Sequence, residues 1–330
     1  MSLYFLIIIL LNLIIFSNFY KISKIYNIFD YPDKIRKKHK NPTSLLGGLV
    51  IFINLLVYSL TEYFGFFELI FFENKKDILT FLFFSFLFFF VGYIDDKFSI
   101  TPNLKLLTYI LLIFFLMFFD KDLIIRNINF TFSDFIFYFN NFSIFFTILC
   151  FLLFINSFNM LDGINGQAGT YSIYILIIFL VLNINLVFSI TLIISLIFFL
   201  YFNFKDKIFL GDSGTILLGF IISYLFIKSY NMSPRISSDE IFLIMMIPGF
   251  ELVRLAVQRL YHKRHPFSPD DKHIHHLLLN KLNFYKSYFL IQLLLIFPFL
   301  SYLLIKNSLI SLIITILFYA LIIFKFSKKN

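Results

Sequence analysis

Phe142-Ser-Ile-Phe-Phe-Thr-Ile-Leu-Cys-Phe-Leu-Leu-Phe-Ile155-Asn156-Ser-Phe-Asn159-Met-Leu-Asp162-Gly-Ile-Asn165-Gly-Gln-Ala-Gly169 decides the class of this chain. Phe142 to Ile155 is an almost wholly apolar run, which predicts a helix inside a bilayer. The run then changes character. Asn156, Asn159, Asp162 and Asn165 follow at a spacing of three, which on a helix is one slowly drifting face. Gly163, Gly166 and Gly169 then break the helix or let something come close to the backbone. Amides and a carboxylate at the end of a membrane span are expensive there, and such groups usually mark a functional site.

The composition of the whole chain agrees. Its 330 residues are 60% hydrophobic and only 14% charged, with a mean hydropathy of +0.88. A soluble domain of this length needs far more polar surface, so the expectation is a single-domain, all-α, polytopic integral membrane protein. The 52 phenylalanines, with no tryptophan, read as lipid-facing filler. The one cysteine, Cys150, lies inside an apolar run, so no disulfide within the chain can form. Leu3 to Phe19 lacks a basic leader and a small-residue cleavage site, and reads as a true first span.

Windows long enough to cross a bilayer lie at about 3–20, 46–62, 78–94, 103–119, 142–158, 169–182, 184–203, 212–229, 239–258, 287–305 and 308–325. They predict about 10–11 transmembrane helices, the short pair around Asn183 being the weakest. Gly47-Gly48 and Pro248-Gly249 mark close approaches or kinks. The net charge of +9 does not point to nucleic acid, because it is sorted by side. Most Lys and Arg fall in alternate loops after the first span, around 254–286 and at the C-terminus, which makes that side cytoplasmic. The N-terminus is then outside and the C-terminus cytoplasmic. On the same side fall Asp95, Asp96, Asp162, Asp212 and every histidine. The outer acids Glu62, Glu73, Asp120 and Asp134 are scattered without pattern. The cytoplasmic loops at about 21–45, 95–102, 159–168, 204–211 and 259–286 are therefore expected to form one active site on the cytoplasmic face.

Each constellation has a plain reading beside its functional one. Gly92-Tyr-Ile-Asp95-Asp96-Lys97 ends the third span. Its paired carboxylates suit a divalent cation or a base, or are a solvated helix end. Adjacent residues do not share a helical face, so the two acids have different tasks. Lys105 opens the next span, where a lysine snorkels or meets a phosphate. Phe209-Leu-Gly211-Asp212-Ser213-Gly214 opens the eighth span. It is an ordinary N-cap, or a place where free N–H groups and Asp212 hold an anion and Mg²⁺. His265-Pro-Phe-Ser-Pro-Asp270-Asp271-Lys-His273-Ile-His275-His276 offers imidazoles to a metal or a phosphate, or is a solvated turn. The absence of Cys beside it and the presence of carboxylates favour phosphate. Arg254 and Arg259 precede it, with forks suited to phosphate or carboxylate. Arg36-Lys-Lys-His39-Lys40-Asn-Pro42-Thr43-Ser-Leu-Leu-Gly47-Gly48 is a positive-inside loop with a more patterned ending than that role requires.

Five pieces in this order resemble the polyprenyl-phosphate N-acetylhexosamine-1-phosphate transferases: Arg-Lys-x-His-x-x-Pro-Thr…Gly-Gly, Gly-x-x-Asp-Asp, Asn-x-x-Asn-x-x-Asp-Gly, Gly-Asp-Ser-Gly and Pro-Phe-Ser-Pro-Asp-x-x-His-Ile-His-His. The last resembles the branch that starts O-antigen, enterobacterial common antigen and teichoic-acid chains, not the branch that makes the first peptidoglycan lipid from UDP-MurNAc-pentapeptide. The resemblance implies a multi-pass protein of the bacterial cytoplasmic membrane. It implies transfer of a sugar-1-phosphate, first GlcNAc-1-phosphate, from a UDP-N-acetyl amino sugar to undecaprenyl phosphate, releasing UMP with Mg²⁺ or Mn²⁺. It implies Asp95 as the group that activates the lipid phosphate, Asp96 as a supporting carboxylate or alternative base, and Asp212 as metal ligand. Asp162 and Asn159 would position nucleotide and metal–diphosphate, and Asp162 joins the aspartates as a catalytic candidate. Lys105, His273, His275 and His276 would contact phosphate or sugar. Asn156, Asn165, Thr43 and Arg259 complete the expected substrate-binding set. A homodimer stays compatible with the sequence.

One position departs from the family. Where many members carry a second Asp, this chain has Asn165, which accepts hydrogen bonds but cannot be a base. Two rival readings are a transporter with acids as relays and a non-catalytic relative that binds lipid or nucleotide. The acids gather at one face, which disfavours the first. Only Asn165 supports the second.

Overall fold

The structure, a computed structural model, describes residues 1–32, 41–66, 72–232, 235–265 and 272–327. In chain order its elements are α1 (Ser2–Ser17), α2 (Phe19–Tyr26), β1 (Phe29–Asp30), β2 (Thr43–Ser44), α3 (Gly47–Tyr63), α4 (Lys75–Phe98), α5 (Pro102–Phe119), β3 (Asn127–Phe130), β4 (Ser133–Tyr138), α6 (Ser143–Leu161), α7 (Gln167–Val181), α8 (Leu186–Asn203), α9 (Gly211–Met232), α10 (Ser238–Tyr261), α11 (Ile274–Leu279), α12 (Phe284–Ile305) and α13 (Ser308–Ser327). They divide into two compact units, Met1–Lys121 with Ala168–Ile222, and Asp122–Gln167 with Ser223–Asn330.

The long helices are apolar on all sides, so their ends are fixed by polar caps and not by an amphipathic pattern. Asn74 accepts from the Asp77 N–H at 3.0 Å to start α4, and Pro102 occupies the first turn of α5. Ser237 and Glu240 form a reciprocal capping box at α10. Asn283 accepts from the Lys286 N–H at 3.0 Å to start α12.

Every expected span window coincides with a helix, but fewer helices have the length and composition of a full span. Seven described helices do, and α1 with α2, bent by 68°, makes an eighth. Of the other windows, α3 and α7 are apolar but only 17 and 15 residues long, and α10 is 24 residues long with Pro248, Glu251 and Arg254 inside it. The all-α architecture holds, with two short antiparallel ladders added, β1 with β2 and β3 with β4. The second is a hairpin, Asn127–Phe130 pairing with Ser133–Tyr138.

In the first unit α3 packs on α4 and α8, α1 on α8, and α4 on α5. Phe88 of α4 stacks on Phe220 of α9, ring centroids 4.4 Å apart. In the second unit α10 packs on α6, α12 and α13, and the hairpin strand β3 packs on α10. An apolar cavity of about 700 Å³ opens there, lined among others by Phe130, Leu153, Phe226, Met246 and Leu309. Pro248 lies inside α10 without ending it.

Candidate active site

The first unit gathers the acids through a zipper of backbone. Residues 43–48 run along 206–210. Ser44 N–H donates to the Lys207 carbonyl at 3.4 Å, Phe209 N–H to the Ser44 carbonyl at 2.7 Å, and the N–H groups of Gly47 and Gly48 to the Phe209 and Leu210 carbonyls, each at 3.2 Å. This explains the patterned Pro42-Thr43…Gly47-Gly48 ending: it seats the start of α9. Thr43 itself is buried. Its hydroxyl donates to the Asn41 and Asp206 carbonyls at 3.2 and 3.4 Å, so it shapes this loop. The basic residues Arg36 to Lys40 lie outside the described residues, as do Pro266 to Asp271.

Close approach then brings α4 against the first turn of α9. A Cβ on Gly92 would stand 2.5 Å from Ser213 Cα and 2.6 Å from the Asp212 carbonyl oxygen. Only a glycine fits there. Three residues beyond, the two aspartates part, as adjacent helical residues must. Asp96 turns to α9 and accepts from the Asp212 and Ser213 N–H groups at 2.8 and 3.0 Å. The helix N-terminus expected to hold a substrate anion is therefore occupied by the protein's own carboxylate. Gly211, in the left-handed region with φ +71°, lets the chain turn beneath Asp96.

Asp95 faces the other way. Its Oδ1 accepts from the Ile100 N–H at 2.8 Å, and its Oδ2 pairs with Lys105 Nζ. The same ammonium stands 3.4 Å from Asp212 Oδ1. Lys105 of α5 thus bridges a carboxylate of α4 and one of α9. The Asp212 side chain is 35% exposed against 8% for Asp95, so Asp212 is the member open to a ligand. One turn along α5, Tyr109 is fully buried and its hydroxyl has no hydrogen-bond partner. Sequence reading missed it, because a tyrosine in an apolar run carries no signal.

The donor set fits a hard divalent cation in kind. It offers carboxylate oxygens only, and Mg²⁺ commonly takes one or two protein carboxylates and fills its shell with water and phosphate. Among the described residues no three His, Cys, Asp or Glu side chains stand close enough to cage a metal without such outside ligands.

The second unit holds the amides and histidines. α6 stops at Leu161, with Asp162 as its C-cap at φ −76°, ψ 54°. The expected single face therefore carries Asn156 and Asn159 but not Asp162 or Asn165, which lie in the turn before α7. Asn156 donates back to the Leu152 carbonyl of its own helix at 2.7 Å. Asn159, Asp162 and Asn165 are half-buried at the end of α6. Gly163 has the His275 ring laid against it, and an added Cβ would stand 2.0 Å from Cε1 and 2.2 Å from Nε2. His275 is buried, while His273 and His276 are partly open. Arg259 Nη2 lies 3.5 Å from His273 Nε2.

Burial holds the His275 imidazole neutral and lowers its pKa well below the usual histidine value, and its neighbours His276 and His273 push the same way. A depressed histidine pKa means the unfolded chain binds the extra proton first. The stability it contributes is complete above the unfolded pKa of about 6.5 and is lost as pH falls below it. We expect the melting temperature to fall more steeply between pH 7 and 5 in the native protein than in His275→Asn, as read by thermal unfolding in detergent. Gly163→Ala forces the ring aside. It is expected to lower turnover about tenfold to a hundredfold with little loss of folded protein, as checked by rates beside a melting curve.

Two further residues escaped sequence reading. Glu251 and Tyr319 join Arg254 in a buried group beside His273. The only sequence signal was an acid three residues before an arginine, the spacing of an intrahelical pair.

The carboxylates and lysine of the first unit, and the end of α6 in the second, all fall inside residues 78–230, which match the family model described as glycosyl transferase family 4. Over that segment the chain is similar to glycosyl transferase family 4. Among curated proteins, an undecaprenyl-phosphate alpha-N-acetylglucosaminyl 1-phosphate transferase of Thermotoga maritima is 28% identical over 267 residues, 80% of this chain and 77% of that one. The protein of the same name from Escherichia coli (strain K12) is 25% identical over 275 residues, covering 78% of this chain and 71% of that one. A probable undecaprenyl-phosphate N-acetylglucosaminyl 1-phosphate transferase of Bacillus subtilis is 28% identical over 252 residues, covering 74% and 68%. The similarity to these relatives extends beyond residues 78–230.

Proposed function

We infer that this chain transfers N-acetylglucosamine-1-phosphate from UDP-GlcNAc to undecaprenyl phosphate at the cytoplasmic face of a bacterial inner membrane, its N-terminus outside and its C-terminus inside. The observation that carries the reading is Lys105 held between Asp95 and Asp212. A lipid phosphate oxygen attacks the sugar-bearing phosphorus of the nucleotide. A new P–O bond forms, the bond from that phosphorus to the bridging oxygen breaks, and the bridging oxygen leaves with UMP. Both reactants are anionic, so the protein's task is to orient them and offset their charge.

Lys105 supplies a fixed ammonium for a phosphate oxygen. Mg²⁺ or Mn²⁺, held by Asp212 with Asp95 as second carboxylate, would neutralise charge on the diphosphate. Asp95 is assigned to the lipid phosphate. Asp96 supports both by fixing the first turn of α9 through two backbone N–H groups. Asp162, Asn159, Asn156 and Asn165 are assigned to the nucleotide, and His273, His276 and Arg259 to phosphate or sugar, with His275 orienting their loop. Thr43 acts through the loop that seats α9. The loops at about 21–45, 95–102, 159–168, 204–211 and 259–286 are assigned to this one reaction. The names of the relatives support GlcNAc as the sugar, and the apolar cavity of the second unit suits a polyprenyl chain.

The test is purified protein with undecaprenyl phosphate, Mg²⁺ and a panel of UDP-sugars. UMP and lipid diphospho-GlcNAc are expected from UDP-GlcNAc. Turnover of UDP-MurNAc-pentapeptide alone, or nucleotide binding with no product, would contradict the reading.

A further inference from the structure

His273 stands between two backbone groups that α10 holds from one side. The Lys272 carbonyl accepts from Arg254 Nη2 at 2.8 Å, and the Ile274 N–H donates to Glu251 Oε1 at 2.7 Å. The two holders are themselves locked. Arg254 donates to both Glu251 oxygens, at 3.0 and 2.5 Å. The Tyr319 hydroxyl of α13 donates to Glu251 Oε2 at 2.5 Å and accepts from Arg254 Nε at 3.1 Å. Glu251 and Tyr319 are only 7% and 8% exposed.

A buried ion pair is a weak source of stability compared with apolar packing in the same space. Its use here calls for a reason that packing alone does not supply. The two hydrogen bonds to the loop supply one. They fix the backbone on both sides of a single residue, and that residue carries an imidazole in reach of Arg259. Helix α11, six residues long, is too short to hold such a loop unaided.

We propose that Glu251 and Arg254, braced by Tyr319, are positioning residues that set His273 for its contact with the nucleotide sugar. The proposal rests on the transferase reading above and deepens it. None of the three touches substrate; each acts through the loop. The clamp therefore governs affinity for the donor and leaves the lipid acceptor alone.

The experiment compares the full-length protein with Glu251→Gln and Tyr319→Phe. It reads KM for UDP-GlcNAc, KM for undecaprenyl phosphate, and hydrogen exchange of the peptide containing Ile274. Glu251→Gln is expected to raise the donor KM about tenfold or more and to leave the acceptor KM within about twofold. Tyr319→Phe removes one brace and is expected to raise the donor KM about threefold. Exchange at Ile274 quickens in the same order. A merely structural staple shrinks the folded fraction, which lowers Vmax and moves neither KM. That outcome overturns the proposal, as does unchanged exchange at Ile274. Faster exchange with both KM values unchanged also overturns it, because the clamp would then hold a loop that does not serve the donor. If the native protein makes no product from any UDP-sugar, the transferase reading fails by itself, and exchange at Ile274 still reports on the clamp.

Discussion

Asp212→Asn is expected to slow sugar-phosphate transfer about 1000-fold or more while the protein stays folded. The side chains are nearly the same shape, and the amide oxygen can still face Lys105. The cap on α9 also survives, because Asp96 accepts from the backbone N–H of Asp212 and not from its side chain. What disappears is the negative charge of the more exposed carboxylate in the bridge. The cation proposed there would then be held less tightly, and Lys105 would keep its full ion pair with Asp95 alone. Initial rates at saturating UDP-GlcNAc, beside a melting curve, measure this. Activity within about tenfold of native would remove Asp212 from the centre of the site.

Gly92→Ala is expected to cost about 3 kcal/mol or more of stability and to take activity with it. The atoms its Cβ would meet are backbone: Ser213 Cα and N, and the Asp212 carbonyl oxygen, all within 2.6 Å. No side chain can swing aside to relieve that overlap. α4 must move away from α9, which pulls Asp96 off the helix start and separates Asp95 from Asp212. Gly249→Ala is the control. It sits in a helix with no atom within 4 Å of the added carbon, so it is expected to be neutral or slightly stabilising. Thermal unfolding of both variants in detergent measures the contrast. A Gly92→Ala protein that melts with the native one would show that the helices have room to separate.

Much of this was legible in the chain, and the reasons are physical. Long apolar windows made every span visible, because a bilayer allows little else. The lengths of α3 and α7, 17 and 15 residues, were not legible, because a short helix gives the same local apolar signal as a full span. The aspartates and Lys105 were visible because charged groups stand out at span ends. Their division of labour was half visible: adjacency required that Asp95 and Asp96 face apart, but not that Asp96 would cap α9. The turn at Asp162 was hidden by the spacing of three, which looks helical until Gly163 and Gly166 are seen to end it. The partner of Gly163 could not be read at all, because His275 comes to it from 112 positions along the chain. Tyr319 was hidden for the same reason, and Tyr109 because buried tyrosines are common among apolar neighbours.

The central claim concerns which bond breaks. UDP-GlcNAc carrying ³²P only in the phosphate attached to the sugar answers it. Incubated with undecaprenyl phosphate, Mg²⁺ and the native protein, the account predicts that the label moves into the lipid fraction and that the released UMP is unlabelled. Label left in solution as UDP, with unlabelled sugar on the lipid, would mean that the sugar alone was transferred and would contradict it.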